Sequence, residues 1–156
     1  IIISCLQTEL KFSSNFINII STIINENQNV ILLLKEVSEY THYNIKDLMI
    51  KSPRILYVNT SRNLNLYHNY IYCSDILLTP FPFGGFFTSL DGFLYDKPVV
   101  TMEDIKLMGR FTSGFYKKMG INDCIATNKE QYLNIIKKKY NSNKLNIFNL
   151  KNNLIF

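Results

Sequence analysis

Short apolar runs alternate with helix-like segments along this chain, and this alternation limits the fold more than any other feature. The runs predict strands at 1–4, 30–34, 55–58, 76–78, 99–101 and 124–126. The run at 30–34 is apolar throughout, as expected of a strand buried on both faces. Strands separated by helices form parallel sheets, so we predict an α/β fold, a Rossmann-like parallel sheet of about six strands flanked by helices.

The intervening segments have the spacing of amphipathic helices. The clearest has Phe16, Ile19, Ile20 and Ile23 on one face, after a possible cap at Ser13 or Ser14. The pattern predicts helices from 13 or 14 to about 27 and at 40–51, 64–72, 89–95, 110–119 and 129–140. Gly120 is a natural C-terminal cap for the fifth, and Thr127 or Asn128 is a candidate N-cap for the sixth.

The length is that of a single domain. The chain has 156 residues, of which 47% are hydrophobic, enough to bury a core. We therefore treat 1–156 as a single domain. Because the sequence opens on Ile1-Ile2-Ile3 without a methionine, we expect it to be a fragment, or one domain of a longer chain.

The net charge of +5 comes mainly from lysines that gather toward the C-terminus. A basic face can attract nucleic acid, but no RNA- or DNA-binding motif accompanies these lysines. We interpret them as the solvated faces of terminal helices and expect no nucleic-acid partner.

The three cysteines are far apart in the sequence and lie in or beside apolar runs. Cys5, Cys73 and Cys124 are therefore expected to be small core residues in a reducing compartment, which predicts a cytoplasmic protein. No Cys-x-x-Cys or His-rich spacing suggests a metal site. The apolar stretches are shorter than the roughly 20 residues of a membrane-spanning helix, so no membrane span is expected.

A Pro/Gly-rich loop follows the apolar run at 76–78 and precedes a predicted helix. In a parallel sheet this is where anionic ligands bind, facing the unpaired N–H groups of a first helical turn. Gly84 and Gly85 let the backbone approach a phosphate. Thr88 and Ser89 are positioned to cap the helix or donate to an oxygen, and Asp91 to accept from a ribose hydroxyl.

The run S-D-I-L-L-T-P-F-P-F-G at 74–84 resembles the nucleotide-sugar-binding half of the cytoplasmic N-glucosyltransferases that modify bacterial adhesins. Those enzymes read approximately C-D-x-x-x-x-P-F-P-F-G-N-T-N-G-x-x-D, and the related O-linked N-acetylglucosamine (O-GlcNAc) transferases carry a similar segment. The resemblance runs nearly end to end. It includes Q-T-E-L-K at 7–11, P-V-V-T at 98–101, the segment from Gly109 to Gly120, and E-Q-Y at 130–132.

This resemblance implies the C-terminal half of a GT-B glycosyltransferase, in which two Rossmann-like domains face each other across the sugar nucleotide. Such enzymes are inverting and use no metal or other cofactor. They transfer a hexose, glucose or N-acetylglucosamine, from a UDP-sugar to protein side chains. The implied partners are the UDP-sugar, an acceptor protein or peptide, and the missing N-terminal domain, without which we expect the domain to be inactive.

The resemblance also implies roles for individual residues. Lys11 matches the family lysine after the first strand, where an ammonium stabilises the leaving diphosphate, and Thr8 adds a hydroxyl donor. Asp91 matches the ribose-binding aspartate. Tyr67 and His68 lie where the family holds the base, and an aromatic ring there can stack on it.

One departure from the family pattern keeps other functions open. Gly85-Phe86-Phe87-Thr88 stands where the N-glucosyltransferases have N-T-N-G, so two aromatics replace the amides that would meet the diphosphate and sugar. A degenerate, non-catalytic interaction or scaffold domain of the same fold is therefore an alternative. A sugar-nucleotide epimerase-like enzyme on the same architecture is another.

Overall fold

The computed structural model describes residues 1–36, 52–60 and 63–141. Six strands in these ranges form one sheet: β1 Ile2–Cys5, β2 Ile31–Lys35, β3 Ile55–Val58, β4 Ile76–Leu78, β5 Val99–Met102 and β6 Ile125–Ala126. Every pairing is parallel, in the order β3-β2-β1-β4-β5-β6. In register, Ile3 lies between Leu32 of β2 and Ile76 of β4. The predicted parallel sheet is confirmed.

The described ranges contain five α-helices: α1 Ser14–Glu26, α2 Leu64–Cys73, α3 Phe87–Leu94, α4 Phe111–Lys118 and α5 Lys129–Asn141. Short 3-10 helices cover Glu9–Lys11 and Leu107–Gly109. The predicted helix at 40–51 lies outside the described residues. Within the described ranges, no helix is long and apolar enough to cross a membrane.

Two clusters of buried side chains pack against the two faces of the sheet. One is built around α1 and α5, and it includes Leu32 and Leu34 of β2. The other is built around α2, α3 and α4, and it includes Leu33 of the same strand. Successive side chains of a strand point to opposite faces, so Leu32, Leu33 and Leu34 of β2 are all apolar because both faces are covered.

Most predicted helix ends are confirmed. Ser13 caps α1, since its side chain accepts from the backbone N–H of Phe16 at 3.2 Å. Asn128 accepts from the N–H of Gln131 at 2.8 Å, at the start of α5. Gly120 has a φ of +72°, the left-handed conformation that favours glycine just beyond a helix.

Cys73 differs from the prediction for the cysteines. Cys5 and Cys124 are buried, as expected, but Cys73 is exposed. It is the last residue of α2, and the face of this helix that packs on the sheet is represented by the buried Ile71. A thiol on the outer face of a terminal turn does not reach the core.

Candidate functional site

The predicted site residues meet where the strand order reverses. From β1 the chain proceeds outward through β2 to β3, and from β4 it proceeds the other way through β5 to β6. Because β1 and β4 are parallel neighbours, the loops that follow them, 6–13 and 79–86, leave the same edge of the sheet. Ligands of open α/β sheets bind in the crevice at such a switch point.

Aromatic packing anchors the start of the loop after β4. Phe81 is buried, and its ring centroid lies 5.6 Å from that of Phe16 and 5.4 Å from that of Tyr132. The Ser13 hydroxyl donates to the Phe81 carbonyl at 2.6 Å. These contacts tie the loop to the start of α1.

Lys11 joins the two loops. Its ammonium donates to Gln7 Oε1 at 2.9 Å and to the Gly84 carbonyl at 3.1 Å, and lies 4.5 Å from the centroid of the Phe83 ring. None of the four ion pairs formed among the described residues involves Lys11. Burial lowers the pKa of the Lys11 ammonium below its ordinary value of 10.5. Among the described residues, the groups that hold this half-buried cation are therefore neutral.

Gly84 and Gly85 are buried, and the backbone is closely packed around them. The Gly84 N–H donates to the Met108 carbonyl at 3.0 Å, so this amide already has an acceptor. A Cβ at position 85 would lie 2.5 Å from Gln7 Nε2 and 2.6 Å from Ser89 Oγ. Glycine at 85 lets the loop approach the end of β1 more closely than any side chain would allow.

The helix after this loop begins at Phe87, two residues before the predicted start at Ser89. Its N-cap is Phe86, which has no side-chain cap bond, so the prediction that Thr88 or Ser89 caps the helix is wrong. Ser89 is buried, and its hydroxyl lies 2.7 Å from that of Thr112, which itself donates to the Gly85 carbonyl at 3.0 Å. Residues 87–89 thus form the first turn of α3 and do not precede the helix.

The early start leaves backbone donors at the crevice. Within the part of the chain that the structure describes, no oxygen accepts from the N–H groups of Phe86, Phe87 or Thr88. Unpaired N–H groups and the positive end of the helix dipole favour an anion at this position. The N–H groups predicted to be unpaired in the first helical turn are therefore observed without an acceptor among the described residues. The donors at this helix start are backbone N–H groups, and no hydroxyl caps the helix.

Tyr67 and Asp91, predicted separately, form a pair. The Tyr67 hydroxyl donates to Asp91 Oδ2 at 2.8 Å, joining α2 to α3. Burial, and then the bond to Asp91, raise the pKa of the Tyr67 phenol above its ordinary value of 10.0, so it remains a donor. His68 packs beside them, with its ring centroid 5.3 Å from that of Tyr67 and 5.6 Å from that of Tyr95. Its Nδ1 is buried and has no partner among the described residues.

Thr8 precedes the 3-10 helix that carries Lys11. It is half-buried, and its hydroxyl donates to Glu9 Oε2 at 3.2 Å. It does not line the crevice cavity described below. Thr8 therefore lies near the site, just before the short helix that carries Lys11. Its hydroxyl, however, donates to the neighbouring Glu9 carboxylate.

A cavity of about 10 Å³, space for about one water, lies between β1, β4 and α3. Its polar lining includes Gln7, Tyr67, Thr88 and Ser89, so three predicted residues meet there. Sequence reasoning missed Gln7 and Thr112. Gln7 stands in the segment that resembles the family, but no pattern marks it, and Thr112 contacts a loop 27 residues earlier.

Among the described residues, no group of three or more His, Cys, Asp or Glu side chains is arranged to hold a metal ion.

Comparison with known proteins supports the fold. No family model and no curated protein matches the chain. A mutant of the O-GlcNAc transferase of Thermobaculum terrenum superposes with a TM-score of 0.79 over 98% of this chain, at 18% identity. S. aureus MnaA in a co-structure with UDP gives 0.64 over 90% at 15% identity. A Listeria monocytogenes protein described as a UDP-N-acetylglucosamine 2-epimerase gives 0.64 over 92% at 13% identity.

The chain spans 30%, 37% and 37% of these three proteins, respectively. At such low identity the likeness concerns the fold. The chain has the Rossmann-like α/β fold predicted from its sequence, and that fold matches one part of each of these three structures.

Proposed function

We propose that this chain is the donor-binding domain of an inverting, metal-independent glycosyltransferase that transfers a hexose from a UDP-sugar to protein side chains. The observation that carries the proposal is the placement of Lys11. It is a half-buried cation without a described carboxylate partner, at the switch point of a parallel sheet. The N-terminus of α3, whose N–H groups at 86–88 have no acceptor among the described residues, lies at the same crevice.

The proposed donor lies across this crevice. Its diphosphate is placed between Lys11 and the first turn of α3, and its ribose on Asp91. A departing diphosphate gains negative charge, and in the absence of a metal the ammonium and the helix N-terminus supply the stabilising positive charge. The hydroxyl of Tyr67 occupies one oxygen of Asp91 and leaves the carboxylate with further capacity to accept from the ribose.

The transfer reaction requires more than this domain. The matched structures are about three times as long as the part that this chain covers, and we propose that a facing domain contributes the acceptor contacts and excludes water. Transfer to an acceptor protein or peptide is therefore expected from the full-length protein and not from residues 1–156 alone. The proposal includes either glucose or N-acetylglucosamine as the transferred hexose.

The aromatic pair in the loop favours the scaffold alternative. The Phe86 ring centroid lies 4.9 Å from that of Phe111 and 5.3 Å from that of Phe115, while Phe87 is 75% exposed. An exposed ring at a helix N-terminus provides contact area for another protein and no hydrogen bond to a diphosphate. The epimerase-like alternative is supported by the fold likeness to the Listeria protein.

Calorimetric titration of the full-length protein with UDP and with uridine tests the proposal. Lys11→Ala and Asp91→Ala each remove a charge-assisted contact of roughly 1.5–3 kcal/mol, so each is expected to weaken UDP binding about 10- to 100-fold. Lys11→Ala should affect UDP far more than uridine, because uridine lacks the diphosphate, whereas Asp91→Ala should affect both alike. Lys118→Ala, on the exposed end of α4, is the matched control.

The same titration separates the alternatives. If the wild-type protein does not bind UDP at millimolar concentration, the donor-binding proposal is wrong and the scaffold function is favoured. If UDP binds and both variants bind it normally, the residue roles are wrong.

A further inference from the structure

We propose that Gln7 is a positioning residue, which holds Lys11 with a neutral acceptor so that the ammonium keeps its charge for an anionic ligand. This role rests on the proposed nucleotide site and adds to it a residue that the family resemblance does not assign.

Three neutral groups hold the Lys11 ammonium. Gln7 Oε1 accepts from it at 2.9 Å, the Gly84 carbonyl accepts at 3.1 Å, and the Phe83 ring centroid lies 4.5 Å away. Gln7 comes from the loop after β1, and the other two come from the loop after β4. The ammonium is therefore fixed from both sides of the crevice without being neutralised.

The amide of Gln7 is itself fixed. Its residue is 4% exposed, and it packs against the backbone of Gly85, where a Cβ would come within 2.5 Å of Nε2. A lysine ammonium has only donors, so the amide must present its oxygen to Lys11 and turn its nitrogen toward Gly85. The hydrogen bond from Lys11 thus selects the amide orientation.

Shape alone does not require glutamine at this position, because glutamate is nearly the same size. The two differ in charge. A carboxylate at 2.9 Å from the ammonium would form a half-buried ion pair, cancel the positive charge and repel a diphosphate. Glutamine provides the same geometry without competing with the ligand.

Two titratable groups near Lys11, Cys5 and Glu9, bear on the positive charge of its ammonium. Burial raises the pKa of the Cys5 thiol to about 12, so Cys5 is neutral near Lys11. Glu9 Oε2 accepts from the hydroxyl of Thr8, and none of the ion pairs among the described residues joins Glu9 to Lys11.

Two variants of Gln7 in the full-length protein test this role. Gln7→Glu is expected to raise the Lys11 pKa, measured by NMR of the lysine side chain, and to weaken UDP about 10-fold or more. Gln7→Met is expected to lower the same pKa, because it removes an acceptor that favours the charged form. Uridine affinity should be unchanged in both, which also shows that the variants fold. Gln28→Glu, at an exposed position, is the matched charge control and should change neither quantity.

If Gln7 had a purely structural role, both variants would shift the Lys11 pKa in the same direction, or both would weaken the binding of UDP and of uridine together. Either result overturns the assignment. So does Gln7→Glu with wild-type affinity for UDP, and the proposed function then still stands. If the wild-type protein itself does not bind UDP, the proposed function fails and the role of Gln7 fails with it.

Discussion

Replacing Gly85 by alanine should destabilise the protein and impair the candidate site together. The added Cβ would lie 2.5 Å from Gln7 Nε2 and 2.6 Å from Ser89 Oγ, whereas ordinary van der Waals contact begins at 3.4 Å. The two side chains must therefore retreat by 0.9 Å and 0.8 Å relative to that distance.

Neither side chain is free to retreat. Gln7 accepts from the Lys11 ammonium at 2.9 Å, and the Ser89 hydroxyl lies 2.7 Å from that of Thr112 in a buried contact. Overpacking of this kind costs about 1–3 kcal/mol, and the loss of one hydrogen bond adds about 1 kcal/mol. We expect Gly85→Ala to lower the free energy of unfolding by about 2–4 kcal/mol, which corresponds to a fall in Tm of about 4–16 °C.

Urea denaturation followed by circular dichroism measures the loss, and calorimetry with UDP measures the effect on the site. Gly114→Ala is the matched control, because Gly114 lies within α4 and its added Cβ would have no neighbour within 4 Å. This control should gain about 0.5–1 kcal/mol, since alanine favours a helix interior over glycine. If Gly85→Ala unfolds within about 0.5 kcal/mol of the wild type, the close approach of the loop to Gln7 and Ser89 is wrong.

Two further predictions concern contacts around the sheet edge. Tyr67→Phe removes the donor to Asp91 and should lower the free energy of unfolding by about 1–2 kcal/mol in urea denaturation, and a stability equal to wild type would contradict the hydrogen bond. The second concerns pH: the bond from Lys117 at 2.6 Å lowers the pKa of the Glu103 carboxyl below its ordinary value of 4.5. A lowered folded-state pKa stabilises the fold above that ordinary value and loses its effect as the pH falls through the folded-state pKa. Wild type should therefore exceed Glu103→Gln by about 0.5–1 kcal/mol near about pH 7, since Lys117 is half exposed, and the difference should disappear in acid. A difference that grows as the pH falls would show the opposite sign and refute the assignment.

The alternation of elements was predictable from the sequence because it depends on local chemistry. A strand buried on both faces must be apolar throughout, and a helix lying on a sheet needs apolar residues at its own period. The strands at 55–58 and 76–78 were predicted with the bounds that the structure shows, and Ser13, Asn128 and Gly120 mark helix ends through their own side chains or backbone conformation.

The start of α3 was not predictable in this way. Thr88 and Ser89 are good capping residues, so local propensity placed the helix start at Ser89. The structure instead buries Ser89 against Thr112 and begins the helix at Phe87. Thr112 is distant in the sequence, so this contact exists only once α4 has packed beside the loop.

By itself, the sequence determined the kind of elements, their order along the chain and the loop of glycines and prolines that follows β4. The tertiary structure decided which of these elements are neighbours. Only the pairing of β1 with β4 brings Lys11 to Gly84 across 73 residues, and only the packing of α2 beside α3 brings Tyr67 to Asp91. The physical reason is that periodicity and capping act within a few residues, whereas strand pairing and helix packing select contacts through burial of the whole sheet.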